Sequence, residues 1–182
     1  MLIRILTSIA LIAITANLLA SPEVPGAKQT HPIALVGGTI HTVSGKTLTN
    51  ATLLFDNGKI TAVGTDFDLP QNCEVIAIKG KHVFPGMLDA YTNMGLVEIN
   101  AVRASGDENE TGTFNPNVRA EVAVNPDSEI IPTTRSNGVL LCLAAPSGGT
   151  VSGRSAVLQL DGWTYEDLTI RSAAGLHIKW PL

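Results

Sequence analysis

The sequence is poor in charge: charged residues make up 15% of its 182 positions, whereas about a quarter is usual for a soluble protein. Lysine and arginine together number 12, lie scattered along the chain, and are outnumbered by 16 acidic residues. Binding a phosphate backbone requires a stripe of positive charge that releases counterions. We therefore expect no nucleic-acid partner. The hydrophobic content of 45% is typical of a globular core.

Cysteine is also scarce, since the chain contains only Cys73 and Cys142. Two thiolates are too few for a thiolate zinc site. Cys142 lies in an apolar run, where a free thiol behaves as a small hydrophobic side chain. A disulfide between the two would be compatible with an exported protein, and the sequence leaves that pairing open.

A long apolar segment is found only at the N-terminus, from Ile5 to Leu19, after a single basic residue. The small residue Ala20 follows, and prolines then break any helix. This order is typical of a secretory signal peptide, although a retained membrane anchor, which needs about 20 apolar residues, is the alternative. We expect residues 1–20 to be a cleaved signal peptide and residues 21–32 a linker. The mature protein would be periplasmic or secreted, without stable membrane insertion.

Residues 33–84 have the pattern of consecutive short strands. The pair Asn57-Gly58 separates two apolar runs, residues 51–55 and 59–63. Such a pair is a strong hairpin signal because a type I′ turn needs positive φ at both central residues. No segment of helical period interrupts these strands, so the pattern predicts a small antiparallel β module.

Beyond Pro85 the pattern changes. Residues 87–91 are predicted to form a buried strand, and the continuous apolar run 139–144 is typical of a strand buried on both faces. Residues 96–102 suit a strand or a helix equally, and a polar loop follows at 106–117. This alternation suggests the start of a β/α layered domain.

Two helix starts are indicated in this second half. Asp127 or Ser128 is a suitable cap for the first helix, whose length Pro132 should limit. The second is a turn followed by a capped helix start within residues 161–167.

A glycine-rich loop is predicted at residues 146–153, at the end of the apolar run. Its backbone N–H groups could bind an anion with help from Arg154. It lacks the lysine and the spacing of a phosphate-binding P-loop. The alternative is a tight turn, which needs glycines without any ligand.

Three motifs in order carry a family resemblance: residues 37–40 (GGTI), 56–64 (DNGKITAVG) and 79–90 (KGKHVFPGMLDA). Together they resemble the opening of the amidohydrolase superfamily, in the style of its imidazolonepropionase-like and dihydroorotase-like branch. The resemblance implies a β-sandwich formed by both chain ends and a metal-dependent (β/α)₈ barrel between them. A complete barrel takes about 250 residues, so we expect a truncated chain.

The expected fold class is therefore mixed β and α/β. An N-terminal antiparallel β-sandwich portion at residues 33–84 would be followed, at residues 85–182, by the first strands of an incomplete TIM-like (β/α)₈ barrel.

The resemblance also implies a site at the end of the first barrel strand. In this family, two histidines separated by one residue converge there on a divalent metal, usually zinc, because alternate residues of a strand point the same way. The matching positions here are Tyr91 and Asn93, whose phenol and carboxamide are poor replacements for imidazole. We predict no metal or cofactor in this chain.

Asp89, Tyr91, Asn93 and Arg154 are the pocket-lining candidates, with Asp89 in a supporting role. The alternative is that Tyr91 and Asn93 simply fill the end of the strand. No catalytic residue can be named from the sequence.

The four histidines do not restore a metal site. His31, His41, His82 and His177 have no histidine partner at close spacing, and each is expected to be structural or solvated.

The resulting hypothesis is an exported amidohydrolase-related protein that hydrolyses non-peptide C–N bonds in its complete form and is inactive as this chain. It would bind a small molecule. The alternatives are a non-catalytic ligand-binding or structural scaffold derived from an amidohydrolase, and an independent secreted β module.

Overall fold

The computed structural model describes residues 24–180. The expected signal peptide at residues 1–20 and residues 21–23 of the expected linker lie outside this range. Residues 24–32 contain neither helix nor strand. The Gly26 N–H donates to the Asp161 carboxylate at 3.3 Å. Among the described residues, no helix has both the length and the apolar character needed to cross a membrane.

The first sheet contains five strands. They are β1 (Ile33–Ile40), β2 (Leu48–Asp56), β3 (Lys59–Gly64), β4 (Glu74–Ala77) and β5 (His82–Val83). The order is β3-β2-β1-β4, and β5 also pairs with β1. The β1–β2 and β2–β3 pairs are antiparallel, whereas β4 and β5 run parallel to β1. The prediction of a wholly antiparallel module is therefore wrong, because the chain crosses from β3 to the far side of β1 before β4 begins.

The predicted hairpin is confirmed at Asn57-Gly58. Asp56 and Lys59 are paired across a two-residue loop, and φ is 49° at Asn57 and 71° at Gly58. These positive angles are those that a type I′ turn requires at both central positions.

The second sheet contains β6 (Met87–Thr92), β7 (Val139–Ala144), β8 (Val151–Gln159) and β9 (Thr169–Ile178), in that order. The β6–β7 pair is parallel, and the two later pairs are antiparallel. The expected β/α alternation therefore ends at β7, after which the chain returns as a hairpin. In the part of the chain that the structure describes, the two sheets do not close into a barrel.

Within the described residues, three short α-helices accompany this sheet: α1 (Ala120–Ala123), α2 (Ile130–Ser136) and α3 (Tyr165–Leu168). A 3₁₀ helix at Arg103–Ser105 precedes them. Helix α1 packs on β8 and α2 on β7. The core between them includes Leu96, Cys142, Leu158 and Leu168, each at most 2% exposed. Burying a leucine side chain stabilises a fold by about 1.5–3 kcal/mol. The main core of the described chain therefore lies on one face of the second sheet.

Two burial predictions are wrong. Strand β6 forms as expected, but Met87, Leu88 and Tyr91 are 56%, 50% and 61% exposed. The strand lies at the sheet edge, where it pairs only with β7, and none of its side chains belongs to the main core. Strand β7 is only partly buried: Cys142 and Ala144 are fully buried, whereas Leu140 is 46% exposed and the other three residues are intermediate.

Both predicted helices form, but the details predicted for the first are wrong. The N-cap of α2 is Glu129, which makes no side-chain capping hydrogen bond, although the Ser128 hydroxyl accepts from the Ile130 N–H at 3.3 Å. Pro132 occupies the third helical position and does not end the helix, which continues to Ser136. Proline is tolerated there because the first N–H groups of a helix have no intrahelical partner. At α3, the Thr164 hydroxyl accepts from the Asp167 N–H at 3.2 Å.

Residues 96–102 form neither of the two alternatives, but a series of turns in which Val97 makes an isolated bridge with Gly106. The polar loop at residues 106–117 is confirmed as irregular backbone outside the named strands. Cys73 and Cys142 are free thiols.

Candidate functional site

The carboxyl ends of β6 and β7 lie at the same edge of the second sheet, because these two strands are parallel. Thr92 is paired with Ala144 at this edge, and the Ala145 N–H donates to the Thr92 carbonyl at 2.9 Å. Ligand sites of parallel α/β proteins form from the segments that leave such an edge. The residues that follow the two strands are therefore the candidate site.

Four polar residues meet at this edge, and we call them the strand-end cluster: Asn93, Glu108, Asn109 and Ser147. The Asn93 side-chain amide donates to the Glu108 carboxylate at 3.3 Å. The Ser147 N–H donates to the Glu108 carbonyl at 2.7 Å, and its hydroxyl donates to the Asn109 side-chain oxygen at 2.8 Å. The polar loop thus folds over the ends of both parallel strands.

Glu108 and Asn109 were not among the predicted site residues. Their loop was recognised from its composition, but which of its side chains reaches Asn93 depends on the backbone path. The signal that could have identified Glu108 is its place in a polar loop between the two parallel strands.

Tyr91 contacts His177 of β9. The ring centroids are 5.7 Å apart and the ring planes make an angle of 46°. Strands β6 and β9 are the outermost strands of their sheet, and in a flat sheet their axes would be about 14 Å apart. Sheet curvature and the length of the tyrosine side chain together bring the two rings into contact.

Asp89 supports the backbone of the same strand. Its carboxylate accepts from the Tyr91 N–H at 3.3 Å. The supporting role of Asp89 at a site stays a prediction.

Arg154 lies in strand β8 rather than in the glycine-rich loop, and it is exposed. Its backbone N–H donates to the Val118 carbonyl at 2.8 Å. The structure records no hydrogen bond or ion pair from the Arg154 side chain to Asp89, Tyr91 or Asn93. The common pocket of these four residues stays a prediction.

The glycines of the predicted anion loop are explained by close packing. A Cβ at Gly148 would lie 2.4 Å from the Asn109 side-chain oxygen, and one at Gly149 would lie 2.9 Å from the Thr113 carbonyl oxygen. Both glycines also have positive φ. The polar loop could not approach the end of β7 as closely with larger residues at these positions.

A buried carboxylate lies close to this region, at Glu121 of α1. It is 1% exposed and accepts hydrogen bonds from Arg119 Nε at 2.8 Å and from the Ser172 hydroxyl at 2.6 Å. Burial raises the pKa of Glu121, but the hydrogen bonds from Ser172, its own backbone N–H and Arg119 outweigh burial and lower it below 4.5. The carboxylate therefore ties α1 to β9 as a charged group.

Within residues 24–180, no group of three or more histidine, cysteine, aspartate or glutamate side chains is close enough to hold a metal ion. At the strand end, the positions that the family resemblance assigns to imidazoles present a phenol and a carboxamide. The carboxamide already donates its N–H to Glu108.

No protein-family model matches the chain, and no curated protein matches it. Among solved structures, it is similar to an amidohydrolase from Thermotoga maritima MSB8, with 27% identity and a TM-score of 0.74 over 80% of this chain and 38% of that one. It also matches a prolidase in complex with N-methylphosphonate-L-proline, at 22% identity and a TM-score of 0.43 over 61% of this chain and 25% of the prolidase. A TM-score of 0.43 is too low to indicate a shared fold.

The similarity to the Thermotoga amidohydrolase supports an amidohydrolase-related origin. The two sheets are consistent with part of an amidohydrolase fold. The chain spans 38% of the length of that relative, so most of the relative has no counterpart in the match.

Proposed function

We propose that this chain provides the β-sandwich portion and the first barrel strands of an amidohydrolase-related hydrolase, whose complete form cleaves non-peptide C–N bonds. The observation that carries the proposal is the match to the Thermotoga amidohydrolase over 80% of the chain. The parallel β6–β7 pair, covered by helices on one face, has the arrangement expected of the first two strands of a barrel.

In this proposal the strand-end cluster faces a small polar ligand. Asn93 and Glu108 offer an amide and a carboxylate, and Tyr91 adds a phenol that is 61% exposed. An amide substrate has one carbonyl acceptor and one or more N–H donors, which such groups complement. The expected partner is a small molecule.

The metal that the family usually holds does not fit the residues present at this edge. A neutral phenol and a carboxamide that donates to Glu108 do not replace two imidazole ligands. We therefore derive no step through a metal, and we propose that this chain alone neither holds zinc at the strand end nor turns over a substrate.

The test is hydrolysis by the proposed complete form, compared with this chain. Both are assayed with and without added divalent metal against hydantoin, dihydrouracil and N-acyl amides. We expect turnover by the complete product and none by this chain. Turnover by this chain would contradict the proposal.

The second candidate is a non-catalytic ligand-binding scaffold, and it is favoured by the identity of Tyr91 and Asn93. It predicts that the complete product binds such an amide without hydrolysing it. Isothermal titration beside the activity assay separates the two candidates.

We also propose that the protein is exported. The support is the order of a basic start, a short apolar core and a small residue over residues 1–20. Mass spectrometry of protein expressed with its own N-terminus should give a mature chain that begins at Ser21. A chain that retains Met1 in the membrane fraction would contradict cleavage.

A further inference from the structure

We propose that His41 and His82 form a two-histidine site for a square-planar divalent metal, copper(II) or nickel(II), on the first sheet. The starting observation is that His41 Nε2 and His82 Nδ1 are 2.8 Å apart. Neither residue belongs to the strand-end cluster, and the inference is independent of the proposed hydrolase activity.

The backbone holds the two histidines side by side. Strands β1 and β5 are parallel, with Thr39 paired with His82 and Ile40 with Val83. The His41 N–H donates to the Val83 carbonyl at 2.9 Å, which extends the pairing past the end of β1. The nitrogen atoms are therefore close because of main-chain pairing between neighbouring segments.

Neighbouring side chains orient the His41 ring. It stacks on Phe84, with centroids 4.2 Å apart and planes 5° from parallel. On its other edge, His41 Nδ1 is 3.4 Å from the Thr47 hydroxyl. When Nδ1–H donates to this hydroxyl, the Nε2 lone pair faces His82. Metal-binding histidines commonly use their second ring nitrogen in this way.

In the metal-free pair, His82 Nδ1–H donates to the lone pair of His41 Nε2. Metal binding replaces this shared proton. His82 changes tautomer, so that its proton moves through solvent from Nδ1 to Nε2, and two metal–nitrogen bonds form in place of one hydrogen bond. The His82 ring must turn so that its Nδ1 lone pair and the His41 Nε2 lone pair converge on the metal. The exposed His82 side chain has room for this turn.

Ligand chemistry favours copper(II) at this pair. Imidazole nitrogens bind copper, nickel and zinc, and among the divalent first-row metals copper(II) is generally bound most tightly. Copper(II) and nickel(II) adopt the square-planar arrangement, whereas zinc prefers the tetrahedral one.

The test is calorimetric titration of the full chain with copper(II), nickel(II) and zinc(II) salts in a weakly coordinating buffer. Electron paramagnetic resonance of the copper form counts the nitrogen ligands. We expect one copper site with two nitrogen ligands and a weaker zinc site. His41→Asn and His82→Asn should each weaken copper binding by about tenfold or more, equivalent to about 1.4 kcal/mol.

His31→Asn is the matched control. His31 precedes the opposite end of β1 and lies 3.8 Å from Glu74, so copper affinity should remain within about twofold of the original chain. Circular dichroism without metal checks that each variant folds, and the exposed position of His82 makes His82→Asn the decisive variant.

Unchanged copper affinity in folded His82→Asn would overturn the proposal. So would a copper spectrum with a single nitrogen ligand, or zinc binding as tight as copper binding.

Discussion

The ion pair at Glu121 gives the most specific stability prediction. Glu121→Gln keeps the size of the side chain but removes the charge that accepts from Arg119 and Ser172. Hydrogen bonds to charged groups contribute about 1.5–3 kcal/mol each. The Arg119 side chain is 51% exposed, so solvent screens its share. We expect a loss of about 1–3 kcal/mol in the free energy of unfolding at pH 7.

The pH dependence of this loss follows from the pKa of Glu121. The folded-state pKa lies below 4.5, so the ionised carboxylate stabilises the fold at pH values above the unfolded-state pKa. This stabilisation is lost as the pH falls through the folded-state pKa. The difference between the original chain and Glu121→Gln should therefore be largest near pH 7 and shrink in acid.

Urea unfolding monitored by circular dichroism at several pH values measures this difference. The matched control is Glu129→Gln, since Glu129 is exposed and makes no side-chain capping hydrogen bond at α2. The control should change stability by at most about 0.5 kcal/mol. Equal stability of Glu121→Gln and the original chain at pH 7, or a loss that persists unchanged in acid, would refute the reasoning.

Three further predictions concern packing, turn geometry and thiol reactivity. Leu158 is 1% exposed, so Leu158→Ala should lower the free energy of unfolding in urea by about 2–5 kcal/mol. Leu88 is 50% exposed, so Leu88→Ala should lower it far less. Similar losses for the two variants would contradict the assigned core. Gly58→Ala should cost about 1 kcal/mol because φ is 71° there, and an unchanged urea midpoint would argue against the type I′ turn. Burial raises the pKa of the Cys142 thiol to about 11. Iodoacetamide at pH 8 should therefore alkylate Cys73 in the folded chain and Cys142 only after denaturation. Rapid labelling of Cys142 in the folded chain, detected by mass spectrometry, would contradict its burial.

Local signals predicted local structure well. Asn57-Gly58 specified its hairpin because the turn requires two positive φ angles, which few residue pairs tolerate. The start of α3 was predictable for a similar reason, since a hydroxyl just before a short helix satisfies a free N–H group. The apolar run at residues 139–144 became a strand, although its burial is partial.

Strand direction and long-range contacts were not predictable in this way. Whether β4 runs parallel or antiparallel to β1 depends on where the chain crosses the sheet, and no residue of β4 encodes that. The same holds at the candidate site. Tyr91 and His177 are in contact only because the second sheet curves, and Asn93 reaches Glu108 only because the polar loop folds back over the strand ends.

The central claim is that an amidohydrolase-like chain presents Tyr91 and Asn93 where the family resemblance implies metal ligands. Elemental analysis of the purified chain after dialysis tests this claim most directly. The His82→Asn variant is measured in parallel, so that metal bound by the histidine pair is distinguished from metal at the strand end. We expect neither protein to retain zinc in stoichiometric amount. One zinc per chain retained by both, and lost on substitution of Tyr91 or Asn93, would contradict it.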